Sequence, residues 1–152
     1  MLLDGNRFPD SRSEGESRAM RQALSKAQMT PADIDYLNTH GSSSMLGDAV
    51  EVRAIRSVFG DATNQVWLNA TKGIIGHCLW SAGIVEAIAT LLQMNGDFVH
   101  GNLNLDTPID TECRFAPKDS VAANIGVAMS NSFGFGGINT SIIFTRSDNQ
   151  IN

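Results

Sequence analysis

Twice in this chain a short apolar run leads into a glycine-rich turn bearing a histidine, and a helical pattern follows. The first histidine is His40, in Thr39-His40-Gly41-Ser42-Ser43-Ser44-Met45-Leu46-Gly47-Asp48; the second is His77, in Thr71-Lys72-Gly73-Ile74-Ile75-Gly76-His77. A glycine beside a histidine lets the backbone turn sharply and approach a ligand closely, so an imidazole at such a strand-to-helix corner is presented rather than buried. A near-C-terminal run, Asn131-Ser132-Phe133-Gly134-Phe135-Gly136-Gly137-Ile138-Asn139, adds a third glycine-rich turn. Strands alternating with helices and closing on a hairpin predict an α/β sheet layered with helices.

The elements follow from periodicity and punctuation. Residues 1–13 mix Gly, Pro, Asp, Ser and Arg without period and are expected to form a flexible N-terminal segment. Order should begin at Glu14, where Ala19, Met20, Ala23, Leu24 and Ala27 recur at helical spacing. Thr30-Pro31-Ala32-Asp33 reads as a short capped turn, and Ile34 to Asn38 as a strand. Asp48 to Val58 is a predicted helix stopped by Gly60, and Val66 to Asn69 a strand. Ala82 to Asn95 is apolar on nearly all sides through Ile84, Val85, Ile88, Leu91 and Leu92, which predicts a helix buried all round. Residues 96–123 are expected to be a long irregular excursion with one extended piece at Phe98 to His100. Ile125 to Ser130 and Thr140 to Phe144 are hairpin strands joined by the Phe-Gly-Phe-Gly-Gly turn, and residues 147–152 a disordered tail.

Composition removes several function classes. With 152 residues and 42% hydrophobic content the chain can bury one core. No run approaches the ~20 apolar residues of a membrane span, and no secretory apolar stretch opens the chain, so a cytoplasmic location is expected. A formal charge of -5 disfavours nucleic acid as a partner, since phosphate binding needs a basic face. Cys78 and Cys113 are too few and unpatterned for a disulfide framework and are read as reduced thiols. His40, His77 and His100 lack the helical spacing of zinc ligands, so no metal is expected.

The three glycine-rich segments, in this order, resemble the C-terminal half of the β-ketoacyl synthases, the decarboxylating condensing enzymes of fatty acid and polyketide synthesis. The likeness runs from about Gly15 to Phe144 and includes Ile34-Asp35-Tyr36-Leu37-Asn38 and Asn102-Leu103-Asn104-Leu105-Asp106. It implies the C-terminal half of a thiolase-like layered fold, a mixed sheet with packed helices, over residues 14–146. Family members usually carry one more strand ahead of the segment at Met1, so the start of this half is expected to be trimmed.

What the resemblance implies about chemistry centres on His40 and His77, whose N–H groups would stabilise the enolate formed when malonyl thioester loses carbon dioxide. Lys72 and Glu86 would pair beneath the site, with Asp48 and Glu51 as acidic members of the same network. Read from the residues alone, Asp48, Glu51 and Glu86 are solvated helix charges. Phe135 would gate an acyl pocket and lend its N–H to a second oxyanion hole; the alternative for it is an aromatic core plug at a hairpin turn. Ser42 and Ser44 stand where the family usually has threonines touching the pantetheine arm, and Phe133 belongs to the same substrate-binding set. Met45 and Trp80 replace a usual proline and a usual small residue. The resemblance implies no cofactor beyond the phosphopantetheine arm of an acyl carrier protein, and a dimer formed through the complete fold. The acyl-bearing cysteine of the family lies in an N-terminal half that this chain lacks, and neither Cys78 nor Cys113 has its setting. The chain alone is therefore expected to be inactive, supplying histidines to a nucleophile on an N-terminal half or partner subunit. Gly76-His77-Cys78-Leu79-Trp80-Ser81-Ala82-Gly83 is similar to synthase-like malonyl-carrier decarboxylases of polyketide β-branching cassettes, an alternative reading. A catalytically silent interaction fragment is a third.

Overall fold

The computed structural model describes residues 2–3 and 12–147. A five-stranded mixed sheet has the order β1 (Leu2–Leu3), β7 (Ile138–Thr145), β6 (Val127–Gly134), β2 (Tyr36–Asn38) and β3 (Trp67–Asn69). Strands β2, β3 and β6 run parallel, while β7 is antiparallel to both β6 and β1. Helices α1 (Glu14–Ala27) and α2 (Met45–Phe59) accompany a core of Met20, Leu24, Leu37, Ala54, Ile55, Leu68 and Met129. Helix α4 (Ala82–Gly96) accompanies a second cluster of Tyr36, Met94, Val99, Ala116, Ile125 and Ala128.

Parallel register explains the two faces. Leu37 pairs with Leu68 and Met129, forming one apolar row in the α1/α2 core, whereas the next row is Asn38, Asn69 and Ser130. Alternation along a strand sends successive rows to opposite faces. The polar row therefore lies on the α4 side, where Gln93 of α4 accepts from Asn69 and, further along β6, Glu86 accepts from Ser132.

Several expectations change. Residues 1–13 are not all a loose leader: Leu2–Leu3 adds a strand to the sheet edge, with Leu2 opposite Asn139 and Leu3 opposite Ile138. Backbone pairing at an open edge needs no side-chain periodicity, so composition did not reveal it. Helix α2 starts at Met45, ahead of Asp48, because the Ser44 hydroxyl accepts the Gly47 N–H at 3.2 Å and serves as its N-cap. The hairpin strands reach further than expected, to Gly134 and from Ile138, which shortens the turn to residues 135–137. The excursion after α4 contains a strand pair, β4 (Phe98–Val99) with β5 (Val121–Ala122), of which only the first was expected.

The largest correction concerns α4, which is not buried all round. Ile84, Ile88, Leu91 and Leu92 are exposed, at 64%, 52%, 43% and 61%, while Glu86, Thr90 and Gln93 on the opposite side are almost fully buried. Of the inward polar side chains, Glu86 bonds to Lys72 and Ser132 and Gln93 to Asn69, while the Thr90 hydroxyl has no partner; Ala87 and Met94 are buried beside them, and the apolar stripe is left exposed among the described residues. Residues 148–152, most of the expected tail, lie outside the described residues.

Candidate functional site

Three turns meet at one edge because β2, β3 and β6 are parallel: each runs into its turn at its carboxyl end, the edge where open α/β sheets place their sites. Strand β2 leads to His40, β3 to Lys72 and His77, and β6 to Phe133 and Phe135. The His40 and His77 rings stand edge to face with centroids 5.6 Å apart, and Phe133 packs tilted against His40 at 5.9 Å. So His40, His77 and Phe133, distant in sequence, converge.

Each imidazole has a defined environment. The Nδ1 of His77 accepts the backbone N–H of Leu79 at 3.0 Å, which leaves the ring proton of the neutral form on Nε2. To make that bond Leu79 adopts φ 50°, a left-handed conformation worth about 1–2 kcal/mol of strain in a non-glycine residue. His40 is half-buried; desolvation first, then the charge of Lys72 and His77, holds its pKa down at about 3. Its buried Nδ1 has no hydrogen-bond partner, so a second proton there would have no acceptor.

Acidic side chains divide into two groups. Glu86 forms an ion pair with Lys72, both almost fully buried, and its other oxygen accepts from Ser132 at 3.4 Å. Burial raises the Glu86 carboxyl, and the bond to Lys72 opposes that. A buried ammonium requires such a partner. Glu51 is not part of that pair: its two oxygens accept the backbone N–H groups of His40 at 2.8 Å and Gly41 at 2.9 Å, and Asn131 donates to it at 3.4 Å. Burial pushes its carboxyl up to about 7 against the pull of those donors. Asp48 makes no contact with Lys72 either; burial raises its pKa, and Lys72 is the least of the influences on it. The expected single network is thus one ion pair plus a carboxylate clamp on the His40 turn.

The remaining candidates are dispersed. Phe135 is 85% exposed at the hairpin turn, and the ring contacts of His40 among the described residues are with His77 and Phe133. The Ser44 oxygen is used by the helix cap, and Ser42 is half-buried in the same loop. Cys113 is buried, its thiol pushed up to about 11, which makes it a poor nucleophile at neutral pH. Among the described residues no three or more His, Cys, Asp or Glu side chains group to hold a metal, and no helix is long and apolar enough to cross a membrane.

Sequence reasoning missed the buried polar network below the histidines: Asn38, Asn69, Thr71, Gln93 and His100, joined to Tyr36. Its signal was available in two places. Both strands end in Leu-Asn, at Leu37-Asn38 and Leu68-Asn69, and Gln93 lies two turns after Glu86 on a helix otherwise rich in apolar residues.

Known proteins match this arrangement. Residues 3–106 match the family model described as beta-ketoacyl synthase, C-terminal domain. The chain is 45% identical over 140 residues to the polyketide biosynthesis malonyl-ACP decarboxylase PksF of Bacillus subtilis (strain 168), covering 92% of this chain and 33% of that protein. It is 42% identical over 149 residues to 3-oxoacyl-[acyl-carrier-protein] synthase 2 of Rhizobium meliloti (strain 1021), covering 95% and 35%. A ketosynthase solved in complex with its type II polyketide acyl-carrier protein superposes with a TM-score of 0.86 at 30% identity, covering 97% of this chain and 37% of that one. The fold is therefore the thiolase-like α/β fold of ketosynthases. The chain belongs to the β-ketoacyl synthase family and corresponds to its C-terminal domain. It spans about a third of the length of the relatives it matches.

Proposed function

We propose that this domain supplies the two imidazoles that drive decarboxylation of a malonyl thioester carried on the phosphopantetheine arm of an acyl carrier protein, within a β-ketoacyl-ACP synthase. The observation that carries the reading is the His40–His77 pair, edge to face at 5.6 Å, with the His77 proton directed to Nε2 and His40 held neutral. As the bond between the malonyl carboxylate and its methylene carbon breaks, carbon dioxide leaves and the electron pair enters an enolate whose charge sits on the thioester oxygen. Two imidazole N–H donors at that oxygen stabilise the developing charge more than the ground-state carbonyl. In a synthase the enolate carbon then attacks an acyl thioester, and the thiolate leaves with a proton. Lys72 and Glu86 hold the floor of the site, Phe133 backs His40, and Ser42, Ser44 and Phe135 contribute to the substrate channel.

Likeness to the malonyl-ACP decarboxylase PksF at 45% identity favours a second reading of the same site, in which the enolate carbon takes a proton and acetyl thioester is released. Both readings place the protein in the cytoplasm and give it an acyl carrier protein as partner. Both also assign the nucleophile position to polypeptide matching the remaining length of the relatives, which would complete a dimeric enzyme.

The test combines this chain with an N-terminal ketosynthase half and follows malonyl-carrier to acetyl-carrier by intact mass. His40→Ala and His77→Ala are each expected to lower the decarboxylation rate by roughly a hundred to a thousandfold, the scale of one lost oxyanion donor, with carrier binding little changed. Parental rates in either variant would remove that histidine from the mechanism.

A further inference from the structure

We propose that Thr71 is a positioning residue of the two-histidine site: pinned by Asn38 and His100, it sets the spacing between the turn that carries His40 and the turn that carries Lys72 and His77. The geometry stands by itself; the catalytic consequence rests on the decarboxylation reading above.

Thr71 occupies the N-cap position of the short helix α3 (Lys72–Ile75), where a threonine hydroxyl ordinarily accepts a helix N–H, yet it makes no such bond. Its hydroxyl instead donates to Asn38 Oδ1 at 2.7 Å, and its backbone N–H reaches the same oxygen at 3.2 Å. Asn38 is fully buried at the end of β2, two residues before His40, and its Nδ2 donates to Ser130 at 3.2 Å. Thr71 directly precedes Lys72. One amide side chain therefore ties the two catalytic turns together across β2 and β3.

His100 supports the tie from the other side. Its Nδ1 lies 3.0 Å from the Gly101 carbonyl, an acceptor only, so Nδ1 carries the ring proton and Nε2, 3.2 Å from the Thr71 hydroxyl, presents a lone pair; the single hydroxyl proton of Thr71 is shared between Asn38 Oδ1 and this nitrogen. A closed ring of bonds immobilises His100. Its backbone N–H donates to Gln93 Oε1 at 2.9 Å, Gln93 Nε2 donates to the Tyr36 hydroxyl at 2.9 Å, that hydroxyl donates to Asn69 Oδ1 at 2.6 Å, and Asn69 Nδ2 returns to the His100 carbonyl at 2.7 Å. Every member is buried. A satisfied buried network of this kind specifies one arrangement, because any displacement strands a desolvated donor or acceptor. Replacing the Thr71 hydroxyl by a methyl preserves shape but removes the one proton that Asn38 Oδ1 and His100 Nε2 share, leaving Asn38 Oδ1 with the Thr71 amide alone and His100 Nε2 without a donor.

The experiment compares Thr71→Val and Thr71→Ser in the assembled enzyme, reading malonyl decarboxylation and the NOE between the ring protons of histidine-labelled His40 and His77. Thr71→Val is expected to lower kcat about tenfold with KM within about twofold, and to weaken the NOE; Thr71→Ser should restore both. Thr71→Val with parental kcat and NOE overturns the proposal. So does a variant that only melts earlier, as loss of a merely structural hydroxyl would make it, or a loss that serine fails to rescue, which would assign the effect to the methyl rather than the hydroxyl. If Thr71→Val does not fold, Thr71→Cys, with its weaker donor, should fall between parent and loss; a parental result there is equally fatal. An assembly whose parent form does not decarboxylate counts against the functional reading, and the NOE alone then decides the positioning role.

Discussion

His40 shows how much of a residue's chemistry depends on what surrounds it. Burial, followed by the neighbouring charges of Lys72 and His77, takes it from the usual histidine range down to about 3. A ring with that pKa is neutral near pH 7. For a group whose folded pKa is depressed, the unfolded chain binds the extra proton, so the contribution to stability is complete above the unfolded value near 6.5 and is lost as pH falls towards 3. Glu51 acts in the opposite sense: with a folded pKa raised to about 7, its contribution is present below 4.5 and lost as pH rises through 7. Comparing parent with His40→Gln separates them. The variant should lose stability less steeply between pH 6.5 and pH 4 in denaturant titrations, and the parent His40 ring resonances should stay at their neutral positions down to pH 5. A titration of the ring near pH 6 would contradict the burial argument.

At the scale of the element, the His40 turn depends on Gly41 and the His77 turn on Gly76, for different reasons. Gly41 has φ +38°, and a Cβ there would lie 2.5 Å from the Ala70 Cβ and 2.8 Å from the Thr39 hydroxyl. Gly76 has φ 75° and ψ -179°, a region essentially closed to other residues, but open space surrounds it. Gly41→Ala should therefore cost about 3 kcal/mol, combining overpacking with backbone strain, and should loosen the Glu51 clamp. Gly76→Ala should cost about 1–2 kcal/mol from backbone conformation alone. Scanning calorimetry of both variants tests the order; equal losses would mean that the contact with Ala70 yields without cost. These turns were legible in the sequence because a glycine next to a histidine signals local backbone geometry. The Glu51 clamp was not legible as such, because nothing local distinguishes a carboxylate that binds amides from one that binds an ammonium.

For the whole molecule, the stripe Ile84, Ile88, Leu91 and Leu92 on α4 is exposed, as are Leu79 at 72% and Trp80 at 101% in the segment before that helix. An apolar patch of this kind is rarely left in water when it exceeds several hundred Å². The chain produced alone should self-associate, and Ile88→Ser with Leu92→Ser should shift its sedimentation towards monomer; a monodisperse parent monomer would show that the stripe needs no cover. Helix α4 also marks where reading the sequence stops. Its apolar periodicity established that a helix forms, just as glycine and histidine placement established the two turns, and alternation established the hairpin, because these depend on neighbours a few residues apart. Which side of α4 faces inward was decided by partners far away in the chain: Lys72 for Glu86, Tyr36 and His100 for Gln93. The same holds for the convergence of His40, His77 and Phe133, which follows from parallel pairing of β2 with β3 and β6. Local order is written in short-range sterics and hydrophobic spacing. Facing, pairing and burial exist only once the sheet has brought distant residues together, since the cost of an unsatisfied buried polar group is incurred, and avoided, in three dimensions.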